Sequence, residues 1–446
     1  MSTLTQPSLF SWDNFDASPE ILRLRRILEA LPDDRLLQTL VAERRGKRNE
    51  YPIEALWRST IAGLLFGHPT TACLIRELER NAELRQVCGF DEVKNRDPEK
   101  RWLAPPDYVY SRFYGKLARH WNLVEEIFHH LLRSLAGLLP DFGEQLAADS
   151  KALPVFGSRP ADADTGIKEY EDADGYKKIQ SWFGYKLHLI VDAKHELPVA
   201  FEVTEASAGD SPRLMPMVRD LKKEHPEVFA RTRNLCADKA YDDSADKAEL
   251  YDDHGVTPLI PPRNLLGNKE NPIRPLDAER SDTLYTGPTG EVLCKIAPFE
   301  TAPEKAFAAM QFMGFEKKRG TLKFRCPAAA FGIECHNRAA CRCAPLVREG
   351  KYGRVVRVKL DQDRRLFLPQ HFHSQGFKAA YKDRTAVERV NSRLDNVHGF
   401  EHTYLRGLQR VRLRVELVLI IMLASARSWI LAGKEKNIRR ILRPAA

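Results

Sequence analysis

The chain lacks any apolar run long enough to cross a bilayer. Its most apolar stretch, Leu417 to Ala426, is about half of the ~20 residues that a spanning helix needs, and reads as a buried helix. No basic start followed by an apolar core opens the chain, so no signal peptide is expected. Cysteine is scarce, with eight residues unevenly spaced over 446. That excludes a small disulfide-stapled scaffold and points to reduced thiols, or metal ligands, in a cytoplasmic setting. An acidic excess is missing too: Lys plus Arg outnumber Asp plus Glu by 70 to 61, giving +9 and a pI near 9.0. Such a balance suits a polyanionic partner, although basic charge alone leaves ribosomal and membrane-surface partners open. With 43% apolar residues, a chain of this length is expected to hold two or three domains with real cores.

What is present falls into blocks. Residues 1–50 form a polar lead with one helical stretch, Ile21 to Leu31, and a basic connector, Arg44 to Arg48. Residues 51–135 read as a compact helical domain. Ile53 to Phe66 has helical apolar spacing and stops at Gly67-His-Pro69, and Thr70 to Val87 resumes the pattern up to Gly89. A third helix is expected over Tyr108 to Arg119, with Asp107 capping its first N–H groups. On it Val109, Phe113 and Leu117 share one face, and Arg112, Lys116 and Arg119 a neighbouring one. That basic face is either a solvated surface or a contact to phosphates.

The period then changes. Trp182 to Asp192 and Leu197 to Thr204 read as a hairpin, followed by a helix at Ser211 to Lys223, a short strand at Leu235 to Asp238, a helix at Ser244 to His254 and a strand at Val256 to Ile260. Strands alternating with helices imply an α/β sheet over 140–263. Residues 264–375 break the rhythm with many Pro and Gly and five of the eight cysteines, as an insertion would. Residues 376–432 return to helices, Tyr381 to Leu394 and Gly407 to Leu431, and 433–446 form a basic tail that is either a solvated helix end or a phosphate contact.

Three acids stand out in this α/β part. Asp149 and Asp238 each close a short apolar run, and Glu388 lies inside a helix whose Tyr381, Arg384, Glu388 and Ser392 share a face beside an apolar stripe of Val387, Val390 and Leu394. Local sequence does not single them out. Asp192, Asp242 and Asp243 are close rivals, strand-end acids often cap turns, and Glu388 could simply pair with Arg384 four residues back. The segments Ala148-Asp149-Ser150, Phe183-Gly-Tyr-Lys-Leu-His188, Gly209-Asp210-Ser211, Ala237-Asp238-Lys-Ala-Tyr-Asp242, Ile260-Pro-Pro-Arg263 and Tyr381-x-x-Arg384-x-x-x-Glu388-Arg389 select among them. In their order and spacing, from about Tyr51 to Ala426, they resemble bacterial insertion-sequence transposases of the DDE type, in the branch with an N-terminal helical domain and an insertion before the last catalytic acid.

That resemblance implies an RNase H-like α/β catalytic domain with a Cys-containing insertion, preceded by an all-α N-terminal domain. It implies Asp149, Asp238 and Glu388 as catalytic metal ligands, with Asp149 bridging, and Mg²⁺ or Mn²⁺ as the cofactor. The chemistry fits the residue types. Cutting a phosphodiester at useful rates needs a barrier reduction of at least roughly 8 kcal/mol, whereas one general base supplies roughly 3 to 5. Two Mg²⁺ ions held by carboxylate oxygens about 3.5 to 4 Å apart can activate the attacking oxygen and stabilise the leaving one together. The expected partner is DNA, both the terminal inverted repeats of an element and a target, engaged by a homodimer through Arg112, Lys116 and Arg119 in the N-terminal domain and through Tyr381 and Arg384 beside Glu388. The expected activity is metal-dependent strand cleavage and strand transfer by a cytoplasmic, nucleoid-associated protein. A non-catalytic DNA-binding regulator derived from such an enzyme, and an RNase H-like nuclease or resolvase, are the competing readings.

One position departs from the family, which often carries a basic residue seven places after the catalytic Glu. Here Asp395 stands there, and Arg389 and Arg393 are placed away from the Glu388 face. In the insertion, Cys326, Cys335, Cys341 and Cys343 with His336 supply either four ligands for a structural Zn²⁺ or reduced, partly buried thiols. His188 and Lys186 lie on the strand expected beside Asp149, where a packed histidine is commoner than a catalyst.

Overall fold

The computed structural model describes residues 18–44, 51–90, 104–171, 176–263, 273–280, 283–297, 306–337, 341, 353–400 and 405–439. Seven helices come first: α1 (Pro19–Ala30), α2 (Asp34–Ala42), α3 (Ile53–Leu65), α4 (Thr71–Arg80), α5 (Ala82–Cys88), α6 (Asp107–Arg119) and α7 (Trp121–Leu138). The lead region thus carries a second helix, α2, beyond the one its periodicity shows. The expected single helix from Thr70 breaks at Asn81, whose extended backbone ends α4 and whose side chain accepts the N–H of Leu84 at 2.9 Å to start α5. Asp107 does not cap α6. Pro106 is the N-cap residue and Asp107 lies inside the first turn, where a negative charge still complements the exposed N–H groups.

The sheet that follows is built from β1 (Gln145–Pro154), β2 (Asp164–Glu171), β3 (Lys177–Asp192), β4 (Leu197–Glu205), β5 (Asn234–Cys236) and β6 (Thr257–Leu259). Its order is β2-β3-β1-β5-β6, with β4 also on β3. β1 runs parallel to β5, and β5 to β6, whereas β3 is antiparallel to β1, β2 and β4. Between β4 and β6 lie α8 (Ser211–Glu224), α9 (Pro226–Phe229) and α10 (Ser244–Ala248), and α10 continues through a π-helical turn to Asp253. The interruption before the last helices holds two small antiparallel sheets. One is made of β7 (Arg274–Pro275), β8 (Leu284–Thr286), β9 (Val292–Lys295) and β10 (Phe307–Ala309), the other of β11 (Gln311–Glu316), β12 (Thr321–Arg325) and β13 (Val355–Lys359), with α11 (Pro327–Phe331) between β12 and β13. The chain then returns to the large sheet through α12 (Gln375–Ala380), a 3₁₀ turn (Tyr381–Arg384), α13 (Thr385–Asn396) and α14 (Leu408–Leu431).

One apolar core runs through the N-terminal helices, the large sheet, α13 and α14, and a separate, smaller core around Leu284, Val292, Phe324, Val356 and Phe367 serves the interruption. α14 packs on α7, α1, α3 and β4, which ties the N-terminal helices to the sheet. Among the described residues no helix is long and apolar enough to cross a membrane. α14 is apolar nearly all round because it is covered nearly all round.

One polar residue breaks this pattern. Glu416 is buried within α14 with neither carboxylate oxygen hydrogen-bonded, because the nearby Arg412 is turned to Glu125 at 3.0 Å. Burial, reinforced by the Glu125 charge, pushes Glu416 up to about 8. A carboxyl raised in the folded state costs stability once the unfolded chain ionises. The cost grows as pH rises from the usual glutamate range to about 8 and is constant above it. Glu416→Gln should therefore raise the unfolding free energy by about 4 kcal/mol at pH 8 and by almost nothing near pH 4.5. Equilibrium denaturation at the two pH values measures the gain, and an equal effect at both would show that Glu416 does not titrate as described.

Candidate active site

β1 and β5 bring two of the three acids together by register. Gln145 lies opposite Asn234 and Ala147 opposite Cys236 in a parallel ladder. Two residues further along each chain, Asp149 and Asp238 fall on the same face. Asp149 is not at a strand end, since β1 runs on to Pro154. Asp238 stands just beyond β5 with extended backbone (φ −76°, ψ 176°), and its carboxylate accepts the N–H of Ala240 at 2.7 Å. Asp149 accepts the N–H of Ser150 at 2.9 Å. The face they share is covered by the 3₁₀ turn and α13, which pack on β1.

The two carboxylates feel one another. Burial pushes Asp149 up to about 6, the Asp238 charge adds to the rise, and the Ser150 N–H and the Arg384 guanidinium oppose it. Arg384 reaches from the 3₁₀ turn to Glu388 one helical turn on, at 2.7 Å, and lies 5.7 Å from the centre of the Tyr381 ring. Tyr381 in turn stacks on Phe377 at 5.4 Å. The i,i+4 pair is therefore formed, and the same arginine is close enough to Asp149 to act on its charge. Among the described residues no three His, Cys, Asp or Glu side chains stand close enough to hold a metal as they are.

The rival acids are all occupied elsewhere. Asp192 is fully buried and accepts the N–H of Gly143 at 2.8 Å and of His195 at 2.7 Å. Asp243 caps α10 through the N–H groups of Ala245 and Asp246. Asp242 is buried against Lys247 Nζ at 2.5 Å and accepts from the Arg263 backbone N–H at 2.7 Å and from Arg365 Nε at 2.8 Å. This knot joins the two stems of the interruption. Of these five aspartates, Asp149 and Asp238 are the two on the side of the sheet that the 3₁₀ turn and α13 cover.

Other residues of the sequence motifs act on the opposite face of β3. His188 lies opposite Ser150, so it points away from Asp149. It is fully buried, 3.0 Å from Thr204 Oγ1, and burial lowers it to about 4. Lys186 donates to Asp210 at 3.0 Å and to the Ala208 carbonyl at 2.7 Å. Lys186 therefore ties β3 to the start of α8, and His188 ties it to β4. Asp395, the position departing from the family, pairs with Lys151 at 2.5 Å. Lys151 was missed in the sequence, yet the signal was there. It is two residues beyond Asp149 on a strand, as Asp395 is two turns beyond Glu388 on a helix, so opposite charges meet on the acid-bearing faces.

A transposase DDE domain family model matches residues 140–424. The chain belongs to the DDE transposase family. That is a family of phosphoryl-transfer enzymes that generally use a divalent metal, and here its RNase H-like domain is preceded by the helices α1 to α7. No curated protein matches the chain. Among solved structures, a cryo-EM structure of a piggyBac transposase synaptic complex with hairpin DNA aligns at 10% identity, with 95% of this chain and 79% of that chain covered and a TM-score of 0.40.

Cys326, Cys335 and Cys341 belong to no metal-holding group among the described residues, and Cys343 lies outside them. Cys326 and Cys341 are buried, as is Cys294. Burial pushes the Cys294 thiol up to about 12, and the neighbouring cysteines add to the rise, so it is held protonated. On α6, Arg112 and Arg119 are exposed and Lys116 is half-buried, while Tyr110, Phe113 and Leu117 turn into the core. The basic face is therefore free to meet a polyanion.

Proposed function

We propose that the chain is a transposase of the insertion-sequence type, which binds the ends of its element and catalyses metal-dependent DNA strand cleavage and strand transfer. The observation that carries this reading is the common level of Asp149 and Asp238 on adjacent parallel strands beneath the helix of Glu388, with every rival acid occupied elsewhere. Oxygen donors of this kind suit Mg²⁺ or Mn²⁺, and the mutual repulsion of Asp149 and Asp238 is what a cation would relieve.

Asp149 would bridge, with Asp238 and Glu388 each completing one side. Divalent ions held there would activate the attacking oxygen and stabilise the leaving one. Arg384 neutralises Glu388 in the absence of an ion and, once displaced, is placed to hold a phosphate of the element end, with Tyr381 beside it. Arg112, Lys116 and Arg119 on α6 would carry the more distant duplex through phosphate contacts. Two copies are needed to hold two ends together, so a dimer on DNA is part of this proposal.

The test is incubation of the purified protein and Mg²⁺ with duplexes bearing the inverted repeats that flank the gene. Nicking followed by joining of the freed 3′-OH to a second DNA supports the reading. Binding without cutting would make the chain a regulator, and cutting of branched DNA without joining would make it a nuclease or resolvase.

A further inference from the structure

The turn between β3 and β4 contains the only non-glycine residue with positive φ among the described residues, Glu196 at φ 57°. L side chains rarely adopt that conformation, and where they do, the surroundings must hold it. Here the surroundings are the catalytic helix. Glu196 is 5% exposed. Its carboxylate accepts from Arg389 Nε at 2.6 Å and from the Arg393 guanidinium, and its carbonyl accepts from Arg393 at 3.4 Å. Arg439, beyond α14, adds a third cation at 3.6 Å.

The same turn is fastened to the strand of Asp149. The Glu196 N–H donates to the Asp192 carbonyl at 2.8 Å, and the Asp192 side chain takes the N–H of Gly143. The Ala193 N–H donates to Gln145, the first residue of β1, at 2.8 Å. One four-residue turn therefore grips the base of β1 on one side and the flank of α13 on the other. Arg389 is the residue next to Glu388.

We propose that Glu196 is a positioning residue, whose carboxylate sets the rotation and height of α13 and so places Glu388 relative to Asp149. It touches neither DNA nor metal. The inference rests on the metal-dependent reading above. It gives a reason for a glutamate, and not a glycine, at a position whose backbone favours glycine: the carboxylate does what a glycine cannot. Because outer partners of metal ligands commonly change affinity or rate by about 10- to 100-fold, the effect of removing it should be of that size.

Two variants of the full chain separate positioning from folding. Glu196→Gly keeps the turn, since glycine adopts φ 57° without strain, and removes the carboxylate. Glu196→Gln keeps the side-chain shape and removes the charge. For both, Mn²⁺ affinity by titration calorimetry should weaken about 10-fold and single-turnover cleavage of element-end DNA should slow about 10- to 100-fold, with DNA affinity unchanged. A merely structural role would lower the thermal midpoint and leave the Mn²⁺ affinity of the folded protein as it was. Wild-type Mn²⁺ affinity and rate in the glycine variant would overturn the inference alone, whereas a wild-type chain that binds no Mn²⁺ would overturn it together with the metal reading.

Discussion

Asp149→Asn should abolish Mg²⁺-dependent strand cleavage, leave DNA binding intact and, unusually for an inactivating change, make the metal-free protein more stable. The first effect follows from its place between Asp238 and the helix of Glu388. Disturbing an outer partner of a metal ligand costs up to about 10²-fold, and replacing the oxygen donor proposed to bridge the ions should exceed that by a wide margin. The stability gain follows from the raised carboxyl. Folded, Asp149 sits at about 6, against a usual aspartate value of 3.8. Ionisation therefore costs the folded protein stability progressively between those two pH values and fully above them, by on the order of 2 kcal/mol. The asparagine variant removes that cost at pH 7 and gains nothing near pH 3.8. By the same sign, metal affinity of the wild type should rise with pH through about 6 and level off above it, because the ion must displace the proton. Chemical denaturation and a cleavage assay on the same preparation measure both sides. Cleavage at the wild-type rate would remove Asp149 from the site.

The second large effect is on folding. Asp242→Ala should destabilise the protein by roughly 3 to 5 kcal/mol, the usual consequence of leaving buried cations without their anion. Lys247 is fully buried and its ammonium also donates to the Arg365 carbonyl at 3.0 Å, while the Arg263 guanidinium donates to the Asp242 carbonyl at 3.0 Å. Burial alone already lowers the Lys247 pKa, and Asp242 is what opposes the fall. Denaturant titration gives the loss directly, and limited proteolysis should cut within the interruption before it cuts the large sheet. A change below about 1 kcal/mol would mean that Lys247 and Arg365 find other partners, contrary to the geometry described.

How much of this was legible in the residues differs from one element to the next. Period-two and period-3.6 patterns gave β4, α8 and α13 nearly to their ends, because each has one face committed to the core, and α14 showed as one long apolar run; of β3 they gave only the part from Trp182, five residues after its start. α2, α7 and β2 were not seen. α7 follows α6 across a single residue, His120, with no Gly or Pro to mark the break, and β2 pairs only with the outer half of β3, where Ile167 and Ile179 stay exposed and no burial pattern is imposed. Within the site, the helix face of Tyr381, Arg384 and Glu388 could be read from spacing alone. The choice of Asp149 and Asp238 over Asp192, Asp242 and Asp243 could not, since it depends on which acids find partners far away in the chain. Asp242 meets Arg365, 123 residues on, and Glu196 meets Arg393, 197 residues on. No local pattern encodes such pairs.

Arg263 and Arg365 lie 102 residues apart in sequence, and the side chain of the second donates to the carbonyl of the first. The chain therefore leaves the large sheet and returns to it at one point, and closing a loop of that length costs about 4 kcal/mol of chain entropy. The Asp242 network is of the size needed to offset it. Asp149 and Asp238 precede this excursion and Glu388 follows it, so the closure at Asp242 delivers the returning segment back beside the strands it left, whatever the loop contains.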